Sequence, residues 1–168
     1  MLKLLVMLLT AFFTVSAVAE QCNIVNNTGD LHFTNLRIGM LKTQNVRGKS
    51  YAVVKKSMHI SAICNIANEV GVSYLAKNDG LTYGLNEGKG FYTLAIKEFH
   101  VNGRKISLSY HDTNQLATYL EPGKRASFSD TKNGDKSVDI TLDVELFIDP
   151  FNAIDNISST GEFVIDSN

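Results

Sequence analysis

The sequence predicts an all-β protein, an antiparallel β-sandwich, and three observations support this prediction. Apolar and polar residues alternate in several long segments, as they do in strands that bury one face. Glycine-containing dipeptides that favour tight turns lie between some of these segments. No amphipathic helical pattern of useful length occurs, although short helices could form around 65–70 and 151–157. These patterns together favour two packed antiparallel sheets.

The clearest strand is predicted over residues 138–148. Its apolar side chains all face one way: Val138, Ile140, Leu142, Val144, Leu146 and Ile148. Its polar side chains face the other way, which indicates a long antiparallel strand with one solvated face: Asp139, Thr141, Asp143 and Glu145. The same alternation predicts strands over 58–64, 70–76, 92–96 and 106–110.

Three dipeptides predict hairpin turns: Asp79-Gly80, Asn102-Gly103 and Asn133-Gly134. Asn, Asp and Gly tolerate the positive φ angles that a type I′ turn requires between antiparallel strands. Asn102-Gly103 is the strongest of the three, because alternating apolar residues both precede and follow it.

The two cysteines predict a disulfide bond. Cys64 ends the alternating run that begins at Met58, so it lies on the apolar face of its strand. Cys22 is the only other cysteine, 42 positions upstream. In an exported chain these two residues are expected to pair, which gives a sandwich with one disulfide.

Export is predicted from the first nineteen residues, which have the three parts of a signal peptide. Lys3 supplies the positive charge, residues 4–13 are apolar, and Ala17-Val-Ala19 gives the small-x-small cleavage pattern. Removal of residues 1–19 from the 168-residue chain leaves 149 residues, a suitable length for a single domain over 20–168. Without Lys3 the chain has 15 basic and 17 acidic residues, a net charge of −2, which argues against a nucleic-acid partner.

The sequence favours no catalytic site, metal or cofactor. Its histidines are scattered without ligand-like spacing: His32, His59, His100 and His111. Residues 130–135 contain several polar residues, but they lack the alternating acidic spacing of a calcium loop and are expected to form a turn. We therefore expect a protein that is not an enzyme.

Several of these features resemble the chaperone–usher pilin superfamily. The first is the cysteine pair, with Cys64 closing the strand Met58-x-Ile-x-Ala-x-Cys64, followed by Val70-x-Val72-x-Tyr74. The second is the C-terminal third, where the long strand 138–148, a loop and Gly161-Glu-Phe163-Val-Ile165 are similar to the last two strands of that family. The resemblance covers most of residues 20–168.

The resemblance implies an immunoglobulin-like, pilin-type sandwich that lacks its final strand. Its partners would then be a periplasmic chaperone, an outer-membrane usher and the donor strand of a neighbouring subunit. The groove edge would be the last strand, at Gly161, Phe163, Ile165 and Asn168, with Gly161 leaving space for a close backbone approach. The Asn168 carboxylate would reach a basic anchor in the chaperone.

The resemblance further implies a minor subunit at the tip of a bacterial fimbria. After cleavage following Ala19, only Glu20 and Gln21 precede Cys22, which is too short a segment to donate a strand. The subunit would pass through the periplasm to the cell surface and contribute to fimbrial assembly, and it could bind a host surface receptor.

One alternative from another functional class stays open. A secreted, self-contained β-sandwich that binds a ligand, such as a small lectin or an enzyme inhibitor, would share the strands, the disulfide and the signal peptide. The sequence does not decide whether the sandwich is complete or needs a donated strand.

Overall fold

A computed structural model describes residues 20–26, 29–34, 36–65, 67–132, 134–151 and 156–167. The described residues form an all-β protein that has no α-helix and one short 3-10 turn, Ile38–Met40. No helix in these residues is long and apolar enough to cross a membrane. The predicted signal peptide, 1–19, and the predicted anchor residue Asn168 lie outside the described residues.

The two predicted short helices differ in outcome. A helix around 65–70 is wrong for the described residues there, because residues 69 and 70 already belong to an extended strand. Of the second segment, 152–155 lie outside the described residues, and the residues around Ile157 form a strand.

The strands are, in chain order, β1 (Glu20–Gln21), β2 (Asn23–Ile24), β3 (Leu31–Phe33), β4 (Thr43–Val46), β5 (Lys49–Cys64), β6 (Glu69–Ala76), β7 (Tyr83–Gly84), β8 (Gly90–Val101), β9 (Arg104–Lys105), β10 (Ser109–Tyr110), β11 (Tyr119–Leu120), β12 (Ala126–Ser129), β13 (Lys136–Ile148), β14 (Ile157–Ser159) and β15 (Gly161–Ser167).

These strands form two main antiparallel sheets and one small pair. The long sheet has the order β11-β8-β13-β5-β2, with β4 paired to β5 and with β7 and β9 paired to β8. The short sheet has the order β1-β15-β6-β12-β10, and β3 pairs with β14. The alternating apolar faces pack between the sheets, so the predicted antiparallel β-sandwich is confirmed.

The strand order is that of an immunoglobulin-like sandwich with one position incompletely filled. In constant-type immunoglobulin domains one sheet has strands A-B-E-D and the other C-F-G. Here β2-β5-β13-β8 has the first order, and β6-β15 has the order C-F of the second. Among the described residues, only the two-residue strand β1 occupies the place of strand G, beside β15 and away from β6.

The centre of the long sheet follows the predicted alternation. β13 pairs with β5 over thirteen consecutive positions, from Lys136 opposite Cys64 to Ile148 opposite Ala52. The predicted inward residues of both strands are buried, and the predicted polar face of β13 lies outward. Strong alternation therefore identified the two strands at the centre of the long sheet.

β8 contains a bulge that the sequence prediction missed. Thr141 of β13 pairs with Glu98, but the next residue, Leu142, pairs with Ile96, so Lys97 is an extra residue. The buried positions consequently change phase along β8. The segment 92–96 and the alternation that follows it are parts of one strand, because the bulge restores the apolar face to the core.

The predicted hairpins had three different outcomes. Asn102-Gly103 is confirmed as a turn with positive φ angles of 50° and 74°, between β8 and β9. Asp79-Gly80 is not a type I′ turn, because Asp79 does not have a positive φ, and its carboxylate accepts hydrogen bonds from the Leu81 and Thr82 amides. Asn133 lies outside the described residues. The strands on either side of it, β12 and β13, belong to different sheets and form no hairpin.

Two further corrections concern short elements. The sequence analysis missed the β4–β5 hairpin, where Arg47 and Gly48 have φ angles of 52° and 78°. The continuous strand predicted over 106–110 is wrong, because only its last two residues, Ser109–Tyr110, form a strand, although the Ile106 amide donates to the Phe99 carbonyl at 2.8 Å. Its alternation was nevertheless informative, since Leu108 and Tyr110 are buried.

Candidate functional site

A groove of about 1080 Å³ lies between the N-terminal segment and the last strand, where strand G of an immunoglobulin domain would run. One wall includes Cys22 and residues 24–26, and the other is residues 160–163. Asp30 and Leu75 also border it. The groove is the candidate functional site because it is a gap of strand size in an otherwise regular sandwich.

One end of the groove is formed where the chain changes sheets at Cys22. Before this residue, β1 pairs with β15, with Gln21 opposite Asp166, and the Cys22 amide donates to the Ile165 carbonyl at 2.7 Å. After it, β2 pairs with β5 of the long sheet. The disulfide between Cys22 and Cys64 holds this crossing point, which confirms the predicted pairing.

The other end of the groove is held by contacts of residues 29–30 with the start of β15 and with Tyr74 of β6. The Gly161 amide donates to Asp30 Oδ1 at 3.2 Å, and the Tyr74 hydroxyl donates to the Gly29 carbonyl at 2.8 Å. A Cβ at Gly29 would lie 2.8 Å from the Gly161 carbonyl oxygen, so the two segments touch closely here. The chain thus contacts β15 at both ends of the groove, whereas Asn23 and Ile24, after the first contact, pair with β5 of the other sheet.

The backbone of β15 faces this gap at Phe163. The Ile165 carbonyl and the Gly161 amide both bond away from β6, and backbone groups of alternate residues in a strand point to the same side. The amide and carbonyl of Phe163 therefore point into the groove. Among the described residues, β1 is aligned only with Asp166 and Ser167, and none is aligned with Phe163 on this side. This stretch of β15 is an open strand edge.

The core behind β15 is aromatic and uncharged. Phe163 is fully buried, and its ring centroid lies 4.7 Å from that of Tyr74. The Tyr74 and Tyr92 hydroxyls are 3.1 Å apart, and the Tyr92 hydroxyl is 2.9 Å from Ser159 Oγ. Burial raises the pKa of both tyrosines, so their hydroxyls stay neutral and form a structural hydrogen-bond network.

Gly161 is needed where the tyrosine network meets the groove. A Cβ at this position would lie 2.0 Å from the Tyr74 hydroxyl oxygen. Besides the close approach of Gly29 to the Gly161 carbonyl, this side-chain hydroxyl therefore leaves no room for a side chain at position 161.

An arginine holds the C-terminal half of β15 to its neighbours. Arg125 Nε donates to the two Asp166 carboxylate oxygens at 2.9 and 3.1 Å, and the same guanidinium donates to Glu69 of β6. A Cβ on Gly71 would overlap the guanidinium, so this glycine makes room for it. The hydrogen bond from Arg125 lowers the pKa of Glu69. This cluster fixes the part of β15 that β1 already covers.

The predicted groove residues lie together on one strand. Gly161, Phe163 and Ile165 are all in β15, and the two apolar side chains are fully buried. Their role as the edge that binds a chaperone stays a prediction. Sequence reasoning did not identify Ile24, Asp30 or Leu75 as groove residues, because no local pattern brings three distant segments together.

The described residues contain no group of His, Cys, Asp and Glu side chains able to hold a metal ion. One cluster deserves comparison with a catalytic triad: Ser61, His59 and Asp139 meet on the outer face of the long sheet. Both Ser61 and Asp139 approach the same imidazole nitrogen, Nε2, at 3.2 and 3.5 Å. A triad needs the serine and the carboxylate on opposite nitrogens, so this geometry does not support nucleophilic catalysis.

Comparison with known proteins gives no relative from which a function could be transferred: no protein-family model matches the chain, and no curated protein matches it in sequence.

Proposed function

We propose that the protein is a minor subunit of a bacterial chaperone–usher fimbria and that its groove receives an extended strand of another chain. The observation that carries this proposal is the open stretch of β15 in the place of strand G. Sheet edges can bind an extended segment through backbone hydrogen bonds, while alternate side chains of the segment enter pockets. The amide and carbonyl of Phe163 offer those hydrogen bonds, and the groove offers the space.

The proposed partners follow from the need to cover an open strand edge. An uncovered strand edge promotes aggregation, so it needs a cover during export and assembly. A periplasmic chaperone would supply the first strand, the outer-membrane usher would receive the complex, and a neighbouring subunit's strand would replace the chaperone's strand. The disulfide fits this route, because such bonds form in the oxidising periplasm. The proposed function is fimbrial assembly and, in an adhesive subunit, attachment to a host receptor, with no catalysis.

The position at the fimbrial tip is the finer part of the proposal. It rests on the predicted cleavage after Ala19, which would leave Glu20 and Gln21 ahead of Cys22. Both residues pair with β15 of their own chain and are thereby occupied. N-terminal sequencing of the exported protein tests the cleavage site, and immunogold labelling of fimbriae tests the position. Regular labelling along the shafts would contradict a tip subunit.

A second function, that of a self-contained ligand-binding sandwich, is favoured by one observation. Both ends of the groove are already closed by the chain's own contacts, at Cys22 and at Gly29–Asp30. If these contacts are sufficient, the sandwich folds and persists without a donated strand. The groove or another surface would then bind a ligand directly.

Periplasmic expression with and without a co-expressed chaperone of the chaperone–usher type separates the two functions. A fimbrial subunit should accumulate poorly alone and co-purify with the chaperone. Phe163→Ala should reduce co-purification, because it removes the buried side chain of the open edge. Val164→Ala is the matched control, since the neighbouring side chain points outward. A stable monomer that ignores the chaperone would contradict the proposal and support the self-contained sandwich.

A further inference from the structure

We propose that Glu162 determines which strand the groove accepts, by selecting a lysine or arginine at the position beside it. This inference rests on the proposed function, because it concerns the identity of the strand that binds β15. The occupant is an extended segment of another chain, with apolar residues facing the core and a basic residue on the outer face.

The pairing of β1 restricts where such a strand can bind. β1 and the Cys22 amide already occupy the edge of β15 from Ile165 to Ser167. The Gly161 amide is also occupied, because it donates to Asp30 Oδ1. The accessible stretch is therefore Glu162–Val164, with its backbone groups presented at Phe163. A strand that pairs with this stretch must place its residues beside Glu162 and Val164 on the outer face, because side chains alternate between the two faces.

The charge at this stretch is negative, and no described residue forms an ion pair that neutralises it. Glu162 and Asp30 line the groove, and no Lys, Arg or His is among the described residues that line it. Arg125, which binds the C-terminal half of β15, is engaged by Asp166 and Glu69. Glu162 is exposed and takes part in none of the ion pairs between described residues.

The position of Glu162 allows its charge to discriminate between incoming strands. On the other side it pairs with Leu75 of β6, which cannot neutralise it. An incoming residue directly opposite Glu162 would have its Cβ about 5 Å away, within reach of a cross-strand ion pair. A glutamate or aspartate there would be repelled, so the groove would discriminate against strands that are acidic at this position.

The test uses residues 20–168 and three synthetic peptides that alternate valine and threonine. The peptides differ only at one central threonine position, which is replaced by lysine, glutamine or glutamate. We expect the lysine peptide to bind about two- to five-fold more tightly than the glutamine peptide, and the glutamate peptide to bind more weakly by a similar factor. The preference should weaken at high salt, because the pair lies on the surface.

Charge reversal provides the decisive variant. Glu162→Lys should invert the order, so that the glutamate peptide binds best. Asp112→Lys is the matched control, because it makes the same change in net charge in a loop beyond β10, at the opposite edge of the short sheet. This control should leave the lysine preference unchanged.

The outcomes separate this inference from the proposed function. If all three peptides bind wild type equally, or if Asp112→Lys inverts the order as Glu162→Lys does, the role of Glu162 is wrong while strand binding stands. If no peptide binds and the isolated chain is a stable monomer, the strand-acceptor function itself is wrong, and the selection by Glu162 is wrong with it.

Discussion

Two edge strands of the sandwich, β8 and β15, differ in how much of their outer side is paired with other segments of the chain. Short segments pair with β8 along most of its length: β7, β11 and β9 cover it in turn. Between the strand pairs, the Ile96 amide donates to the Thr118 carbonyl at 2.8 Å. β15 is covered on its outer side only at its C-terminal end, by β1.

The difference shows that short strands can cover an edge strand and that the described residues leave β15 uncovered at Phe163. Two-residue strands are enough to cover β8, so short segments can supply the hydrogen bonds that the backbone of an edge strand requires. At Phe163 no described residue is used in this way, although Asp30 and Cys22 lie on either side of the gap. An edge that is closed at both ends and open in the middle is suited to hold a short added strand.

The largest expected effect compares a buried phenylalanine from each edge strand. Phe163→Ala and Phe99→Ala should each lower the free energy of unfolding by about 3–5 kcal/mol, because both side chains are almost fully buried. Urea denaturation measures this loss. Only Phe163→Ala should also weaken the binding of a strand peptide, measured under conditions where both variants are folded. An equal loss of binding in Phe99→Ala would show that the groove is not specific to β15.

Removal of the disulfide should have the next largest effect. The double variant Cys22→Ala/Cys64→Ala should lose about 2–4 kcal/mol of stability, because the cross-link constrains the unfolded chain. Since Cys22 also fixes the crossing between sheets, the pairing of β1 with β15 should loosen, whereas β8 and its short partners should be unaffected. Amide exchange at Ser167 and Ile96 measures this contrast. Two alkylatable thiols in the non-reduced wild-type protein would contradict the bond itself.

The ionic cluster on β15 predicts a pH dependence that β8 should lack. Arg125 lowers the pKa of Glu69 in the folded protein. The ionised Glu69 therefore stabilises the folded state fully above the pKa of the unfolded chain, about 4.3. This stabilisation is lost as pH falls through the lower pKa of the folded protein. Glu69→Gln should cost about 1–2 kcal/mol at pH 7 and less at pH 3, where protonation of Glu69 weakens its bond to Arg125. Glu98→Gln, which removes an exposed pair with Lys105 beside β8, should cost less than about 0.5 kcal/mol at either pH. Equal costs at pH 7 and pH 3 for Glu69→Gln would contradict this role.

The smallest expected effect concerns two hairpins. Asn102 and Arg47 have nearly the same positive φ, 50° and 52°, but only asparagine tolerates this conformation well. Arg47→Asn should therefore raise stability by about 0.5 kcal/mol, and Asn102→Ala, in the hairpin that covers β8, should lower it by about 1 kcal/mol. Thermal denaturation measures both changes. A stability loss in Arg47→Asn would mean that the arginine side chain has a role of its own.

The sequence predicted those parts of the fold that a local pattern determines. The alternation over 138–148 and 58–64 identified β13 and the second half of β5, because burial of one face requires a two-residue period. The Asn102-Gly103 turn was predictable because its residue types match its backbone angles. The β4–β5 hairpin was missed because arginine gives no turn signal.

The remaining features depend on which strands meet, and a local pattern does not contain that information. Asn133-Gly134 looked like a hairpin, but the flanking strands belong to different sheets. The bulge at Lys97 depends on the register between β8 and β13. The groove depends on Cys22, Asp30 and Gly161, which are brought together only by the assembled sandwich. The sequence indicated the last strand through Phe163 and Ile165, but it did not show which part of that strand stays uncovered.

Hydrogen exchange at two amides tests the open edge of β15 most directly. In the isolated protein, the Phe163 amide should exchange on the order of 100-fold faster than the Ile96 amide, which is bonded to Thr118. Addition of the lysine strand peptide should slow exchange at Phe163 and leave Ile96 unchanged. If the Phe163 amide of the isolated protein is already as protected as that of Ile96, the edge is closed, and the strand-acceptor account is contradicted.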